Sequence, residues 1–269
     1  MVHERLEIEE WISRFPLGED QDGEIICSPR DLAWTEQVRR KVLSGRPVEA
    51  VPTDVFVFGQ GEPGRREGTK FGGLPYWPAS QEWPRAAAGT PLTFIGQLCF
   101  ADSRDIVGNV PGDVLMVFGP KESEYLDADG SDLRFFWRDV GDDDLMSPAA
   151  MPQVEFPLPP MYGIICRTHD YPGAARMFRR RRRRELLAVL QGTKIGGAPR
   201  WIQSPEPVPG RFLGALGSFN FTSSDPYPFV NVPEPVDDWD LHQPMWGDMG
   251  SVYLFLEGER DLFAVAQCY

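Results

Sequence analysis

Apolar positions change their rhythm once along this chain, near residue 50. Before that point Ile8, Trp11, Ile12 and Phe15 fall at i, i+3, i+4 and i+7, the single apolar stripe of an amphipathic helix. "SPRD" then announces a second helix, with Ser28 as N-cap, Pro29 at the first helical position and Asp31 three residues after the cap. Trp34, Val38 and Val42 share one of its faces, and Gly45 marks its stop. From "DVFVFG" at Asp54 the texture becomes short apolar runs broken by Gly and Pro, which predicts strands. The runs are 91–100, 112–119, 133–140, 162–169, 211–221 and 250–258. One segment keeps a helical pattern, "GAARMFRRRRRRELLAVLQG", which predicts a third helix from Gly173 to a stop at Gly192.

Within the strand-rich part the chain repeats a phrase. "KFGGLPYWP" begins at Lys70 and "KIGGAPRWI" at Lys194. "FIGQL" at Phe94 and "GDVLMVF" at Gly112 follow the first copy; "FLGAL" at Phe212 and "GSVYLFL" at Gly250 follow the second. Three blocks recurring in one order indicate an internal duplication. The second copy is the longer one, and its excess falls in "TSSDPYPFVNVPEPVDDWD", a Pro- and Asp-rich stretch suited to a surface loop. The pattern therefore predicts an α+β, β-rich fold of largely antiparallel sheets in two pseudo-repeated halves. These halves span about 54–145 and 160–269 within a main domain over 51–269. A helical segment over 1–50 precedes them and one helix lies between them.

Physically the phrase reads as a turn. Adjacent glycines tolerate positive φ and close approach of another segment, Pro stops regular structure, and Trp tucks under the next strand. The lysines are not required by such a turn. Two roles stand open for Lys70 and Lys194: surface cations capping nearby carbonyls, or a pseudo-symmetric pair facing one anionic ligand. The second role would assemble a pocket where the halves meet, lined by Lys70, Trp77, Gln97, Lys194, Trp201, Trp246 and Asp248.

"KFGGLPYWP…EWP…PLTFIGQL", "KIGGAPRWIQ" and the closing "MWGDMGSVYLFLEGERDLFAVAQCY" resemble the YwqG-like family, a bacterial domain of unknown function. The resemblance runs from about residue 54 to the C-terminus and implies a mixed α and β fold with much antiparallel sheet; it implies no activity. The family positions it carries over in the first half are Lys70, Gly72, Gly73, Pro75, Trp83, Pro84 and Gln97. In the second they are Lys194, Gly196, Gly197, Pro199 and Gln203, then Trp246, Gly247, Asp248, Gly250, Gln267 and Tyr269. The chain departs from the pattern in its arginine run and at Ala215, which stands where the first half has Gln97.

Composition narrows the function classes. The 27 basic and 40 acidic residues of the 269 leave a net charge of −13, which repels phosphate backbones and disfavours nucleic acid as a partner. No run of 18 apolar residues is present to span a membrane, and the start "MVHERLEIEEW" is not of signal-peptide form. Cys27, Cys99, Cys166 and Cys268 lack CxxC pairing, which fits reduced thiols in a cytoplasmic protein.

Other motifs fall short of a site. "GQGEPG" (59–64) fits G-x-G-x-x-G, but the following "RREGTKFGGLPYWP" cannot continue as the helix a dinucleotide site needs. "DADGSD" (127–132) lacks the calcium-loop Gly and Glu positions, and "DDD" (142–144) reads as solvated loop. Cys166 and His169 are too few for zinc and sit on opposite faces of a strand. With His3, His169 and His242 as the histidines, acid–base catalysis has little material, so no catalytic residue, metal ligand or cofactor site is assigned. The six arginines 179–184 sweep beyond one helical turn, which makes them a basic strip suited to an acidic patch on a partner. The expectation is a non-catalytic cytoplasmic module that binds a protein partner, basic or bearing such a patch, of the toxin-neutralising type. Its alternative is a small-ligand-binding protein or unrecognised enzyme with a pocket between the halves.

Overall fold

The apolar runs pair with one another as antiparallel strands. In the computed structural model, which describes residues 7–14, 29–120, 126, 132–141, 144–178, 187–219 and 244–269, ten strands form one sheet. They are β1 (Val51–Gln60), β2 (Lys70–Phe71), β3 (Thr93–Cys99), β4 (Val114–Gly119) and β5 (Arg134–Arg138). Then come β6 (Met161–Asp170), β7 (Lys194–Gly196), β8 (Arg211–Gly217), β9 (Ser251–Glu257) and β10 (Asp261–Gln267). The order across the sheet is β10-β9-β8-β7-β1-β6-β2-β3-β4-β5, with every neighbouring pair antiparallel.

β1 and β6 are the long central pair, in register from Val51 opposite Asp170 to Gln60 opposite Met161. A four-strand flank hangs from each: β2–β5 from β6 and β7–β10 from β1. The register shifts between Phe94 and Gly96 in β3 and between Phe212 and Gly214 in β8, the corresponding strand of each flank. Bulges of this kind raise local twist and bend the sheet.

Alternation along β1 and β6 sends side chains to two cores. Val55, Val57, Tyr162, Ile164 and Cys166 meet Trp11 and Leu32 of the helices α1 (Ile8–Arg14) and α2 (Pro29–Leu43). Phe56, Phe58, Met161 and Ile165 point the other way, into one cluster that takes residues from both flanks. Leu115 and Val117 of β4 and Leu254 and Leu256 of β9 belong to it together. Phe58 stacks on Phe219 from one flank at 4.7 Å between centroids and meets Phe71 from the other at 5.1 Å. A single sheet can place both flanks on one core only by curving around it. Each flank also packs its outer face: Tyr76, Trp77, Trp83 and Phe118 on one side, Trp201, Tyr253 and Phe255 on the other.

The two N-terminal helices stand where their stripes predict them, with Trp11 buried and Trp34 and Val38 packed beside Val42. The caps and stripe ends at Ser28 and Phe15 lie outside the described residues. β10 is a strand beyond those predicted; "DLFAVAQ" alternates across the sheet edge after the Gly258 turn. A short α3 (Arg104–Val107) follows β3.

The helix predicted over 173–192 does not form in the parts described. Pro172–Phe178 is 3₁₀, and residues 187–190 are a short turn. Tertiary partners take that turn's backbone groups: Arg39 donates to the carbonyls of Leu187 (2.5 Å) and Ala188 (3.0 Å), and Leu190 N–H donates to Asp170 Oδ1 (2.8 Å). Tyr171 N–H also donates to the Ala188 carbonyl at 2.7 Å. An α-helix would have consumed these groups internally. Residues 179–184 of the arginine run lie outside the described residues.

Candidate functional site

Each copy of the repeated phrase opens as a short strand and only then turns. Lys70 lies in β2 opposite Tyr162 and Gln97; Lys194 lies in β7 opposite Val55 and Ala215. The glycines that follow take left-handed backbone, φ 58° and 68° at Gly72 and Gly73, and 73° at both Gly196 and Gly197.

Neither lysine is on the surface, which corrects that part of the capping role for both, although Lys194 Nζ does donate to the Ala198 carbonyl at 2.7 Å. Lys70 is 1% exposed, and its Nζ donates to Glu62 Oε2 at 2.9 Å. Glu62 Oε1 accepts the N–H of Leu74, the residue after Gly-Gly, at 2.7 Å. Lys194 is also 1% exposed and donates to Asp170 Oδ2 at 2.6 Å, while that same oxygen accepts the N–H of Ala198 at 3.0 Å. One carboxylate thus clasps a lysine and the amide beyond two glycines, in both copies. The second glycine is obligatory, because a Cβ at Gly73 would overlap Glu62 Oε1 and one at Gly197 would overlap Asp170 Oδ2. The carboxylates come from matching places, just past the end of β1 and at the end of β6. Burial holds both lysines below the ordinary ammonium pKa, opposed by the facing carboxylate.

The clasps differ in surroundings. Glu62 keeps 35% of its side chain exposed, whereas Asp170 is fully buried. Asp170 is one member of a larger network. Arg39 on α2 approaches its Oδ1 at 3.4 Å and donates to Glu36 Oε1 at 2.7 Å, and Thr168 Oγ1 donates to the same Glu36 oxygen at 2.8 Å. The second clasp therefore ties α2 to the sheet; the first ties down only its own loop.

The remaining predicted site residues are similarly committed to the fold. Gln97 is fully buried, with Oε1 accepting Tyr76 N–H (2.9 Å) and Nε2 donating to the carbonyls of Arg66 (2.8 Å) and Gly68 (2.9 Å). Where the other flank has Ala215, the space is taken by Tyr253 from the neighbouring strand, whose hydroxyl donates to the Arg200 carbonyl. Trp77 is 1% exposed, edge-on to Phe118 and Phe136, with its N–H on the Gln81 carbonyl at 3.2 Å. Trp201 is half-buried against Tyr253 and Phe255. Trp246 is buried in the inner core, while Asp248 is exposed in the turn before β9 and takes Tyr269 N–H on its backbone carbonyl at 3.0 Å.

These residues do not converge. Lys194 sits level with Val55 and Lys70 level with Gly59, four residues apart along β1 and three strand spacings across the sheet. That places their Cα atoms roughly 20 Å apart. Lys70 and Gln97 are cross-strand neighbours, and Trp246, Trp77 and Trp201 fall into three separate packing clusters. Glu62, Asp170, Arg39 and Glu36 are the partners that sequence reading missed. Glu62 lies inside "GQGEPG" and Asp170 directly after "CRTH", but no local spacing ties either to a lysine.

Among the described residues no group of three His, Cys, Asp or Glu is placed to hold a metal ion. Cys166 is buried against the helices while His169 is exposed, so the two do not form a couple. Burial pushes the Cys99 thiol up to about 12. Asp132 is exposed and the rest of "DADGSD" lies outside the described residues, as do Asp142 and Asp143. No helix among the described residues is long and apolar enough to cross a membrane.

Fold and clasps together define a β-rich protein whose repeated polar residues hold one antiparallel sheet in shape. The family described as Domain of unknown function (DUF1963) matches residues 69–265, most of the chain, and the chain belongs to that family. The matched range begins after β1, although β1 is a central strand of the sheet. No curated protein matches the chain.

Proposed function

We propose that the chain is a non-catalytic, cytoplasmic binding module of YwqG-like, bacterial type, built by internal duplication, which recognises a protein partner through its polar surface. The mirrored strand order, the bulges at matching places in β3 and β8 and the clasp formed twice support the duplication. Cys99, Cys166 and Cys268 form no disulfide, which supports a reducing compartment. The observation that carries the functional reading is the burial of both phrase lysines in structural ion pairs. Recognition is left to the surface. Among the described residues the large exposed hydrophobics are Val140 and Tyr269 alone, on a chain of net charge −13. A surface of that kind selects by charge, which favours a basic partner such as a toxin whose active site it covers. An acidic patch opposite Arg179–Arg184 is the complementary contact within the same proposal.

Native mass spectrometry of the protein captured gently from its own cells tests this at low and at high salt. A stoichiometric basic partner that is lost as salt rises is the expected result. Bare protein at low salt, or a partner indifferent to salt, overturns it.

A second reading, binding of a small ligand between the halves, is favoured by one observation. A cleft of about 460 Å³ lies where the two flanks meet. Its walls are not the phrase lysines.

A further inference from the structure

The curvature that brings both flanks onto one core also brings their ends together. Val107 at the end of α3 and the loop after it (Asn109, Val110 and Pro111) belong to the first flank; Arg211 at the start of β8 and the β9–β10 turn with Glu259 and Arg260 belong to the second. Arg211 bridges them by donating to the Asn109 carbonyl. That carbonyl is a neutral acceptor. Among the described residues, neither Arg211 nor Arg260 has a carboxylate within ion-pair distance. Arg39, Arg40, Arg65, Arg104 and Arg167 all do, while Arg66, Arg85, Arg134 and Arg138 donate to carbonyls as Arg211 does. Arg211 and Arg260 are both exposed at the rim of the cleft, and desolvation there disfavours the charged form of Arg211.

Two guanidinium groups on an acidic chain, facing a cleft of ligand size with apolar residues on one wall, describe a receptor for an anion with an apolar body. Glu259 on the same rim reduces the local charge to one net positive, which suits a monoanion better than a phosphate dianion.

We propose that this inter-flank cleft binds a small monocarboxylate. Its carboxylate takes hydrogen bonds from Arg211 and Arg260 and its hydrocarbon part lies on Val107, Val110 and Pro111. The inference rests on the small-ligand reading and does not require a protein partner. Because the walls come from opposite flanks, an occupant would bridge them and favour the closed sheet.

Isothermal titration of the full chain with phenylacetate, phenethylamine and inorganic phosphate tests it. Phenethylamine carries nearly the same body with the opposite charge. Phenylacetate is expected to bind; phenethylamine and phosphate are expected to be weaker by tenfold or more. Arg260→Gln and Arg211→Gln should each weaken phenylacetate roughly tenfold to a hundredfold, the loss of one charge-assisted contact. Arg134→Gln, outside the cleft lining at the end of β5 that lies opposite Phe118, should leave binding unchanged. Arg260 is exposed in the β9–β10 turn and, among the described residues, makes no side-chain hydrogen bond or ion pair, so its variant separates binding from folding if Arg211→Gln proves unstable. Phosphate or phenethylamine binding more tightly than phenylacetate overturns the monocarboxylate and leaves a ligand site standing. Equal affinity in wild type and Arg260→Gln overturns the assigned cleft. No binding of any of the three up to about 10 mM, beyond which affinity falls below fragment level, overturns both the inference and the reading it rests on.

Discussion

Asp170→Asn is expected to destabilise this chain by about 3–5 kcal/mol, the cost of breaking a buried ion pair while one charge stays in place. The side chain is fully buried and receives donors on both oxygens: Lys194 Nζ at 2.6 Å and Ala198 N–H at 3.0 Å on Oδ2, Leu190 N–H at 2.8 Å and Arg39 at 3.4 Å on Oδ1. Asparagine preserves the volume but must turn its NH₂ toward one of these pairs. Whichever way it turns, two donors face a donor, and the Lys194 charge has no counter-ion. Glu62→Gln supplies the internal control, since its chemistry toward Lys70 and Leu74 N–H is the same. Glu62 is 35% exposed, so water can replace part of what is lost, and about 1–2 kcal/mol is expected. Urea unfolding read as a shift in midpoint at unchanged slope measures both. Lys194→Met should rescue part of the loss in the Asp170→Asn background, giving a coupling of about 2 kcal/mol in the double-mutant cycle. Equal losses for Asp170→Asn and Glu62→Gln, or an additive cycle, would refute the claim that the second clasp is a buried electrostatic lock.

Four other outcomes follow from the same geometry. Gly197→Ala should cost more than Gly89→Ala by roughly 1–3 kcal/mol: both glycines have positive φ, but only at Gly197 must the new Cβ displace a buried carboxylate, as denaturation midpoints will show. Trp77→Ala should cost about 3–5 kcal/mol and Trp201→Ala visibly less, because Trp77 is sealed between Phe118 and Phe136 while Trp201 is half-buried; comparable losses would contradict this packing. In the native chain at pH 8, iodoacetamide should label Cys268 and leave Cys99 and Cys166 unmodified until unfolding, read by mass spectrometry. The alkaline limb follows in sign. Cys99 is raised in the folded state to about 12 from a usual value of 9.0, so its contribution is whole below the unfolded pKa and is lost as pH rises through the interval up to 12. A thermal-melt series from pH 8 upward should decline less steeply for Cys99→Ala than for the native chain.

Much of the secondary structure was legible because it is written in local alternation. β1, β3, β4, β6, β8 and β9 each coincide with an apolar run bounded by Gly or Pro, and the stripes of Trp11 and of Trp34 with Val38 mark α1 and α2. The segment 173–192 misled for an equally physical reason. Its pattern is helical, but Arg39 and Asp170 take the backbone groups of residues 187–190, and these partners come from 20 to 149 positions away. Trp77 is buried as its reading predicts, but against β4 and β5, and Trp201 is half-buried against β9. The lysines were misread, because a lysine in sequence looks the same whether it is solvated or sealed against a carboxylate.

By itself, the sequence determined the antiparallel strands, the two helices ahead of them and the double phrase with its glycines and its tryptophans. Those are consequences of period-two burial and of backbone freedom at Gly, both local properties. Tertiary structure alone decided what the phrase is for. Glu62 is eight positions from Lys70 and Asp170 is 24 from Lys194. β1 lies between β6, whose end carries Asp170, and β7, which carries Lys194, while β2 with Lys70 pairs on the other side of β6. The cleft of Arg211 and Arg260 has the same origin. Its walls lie on opposite flanks of the sheet, and the curvature that joins them comes from bulges and a shared core. Ion pairs and clefts depend on distance in space, to which hydrophobic periodicity is blind.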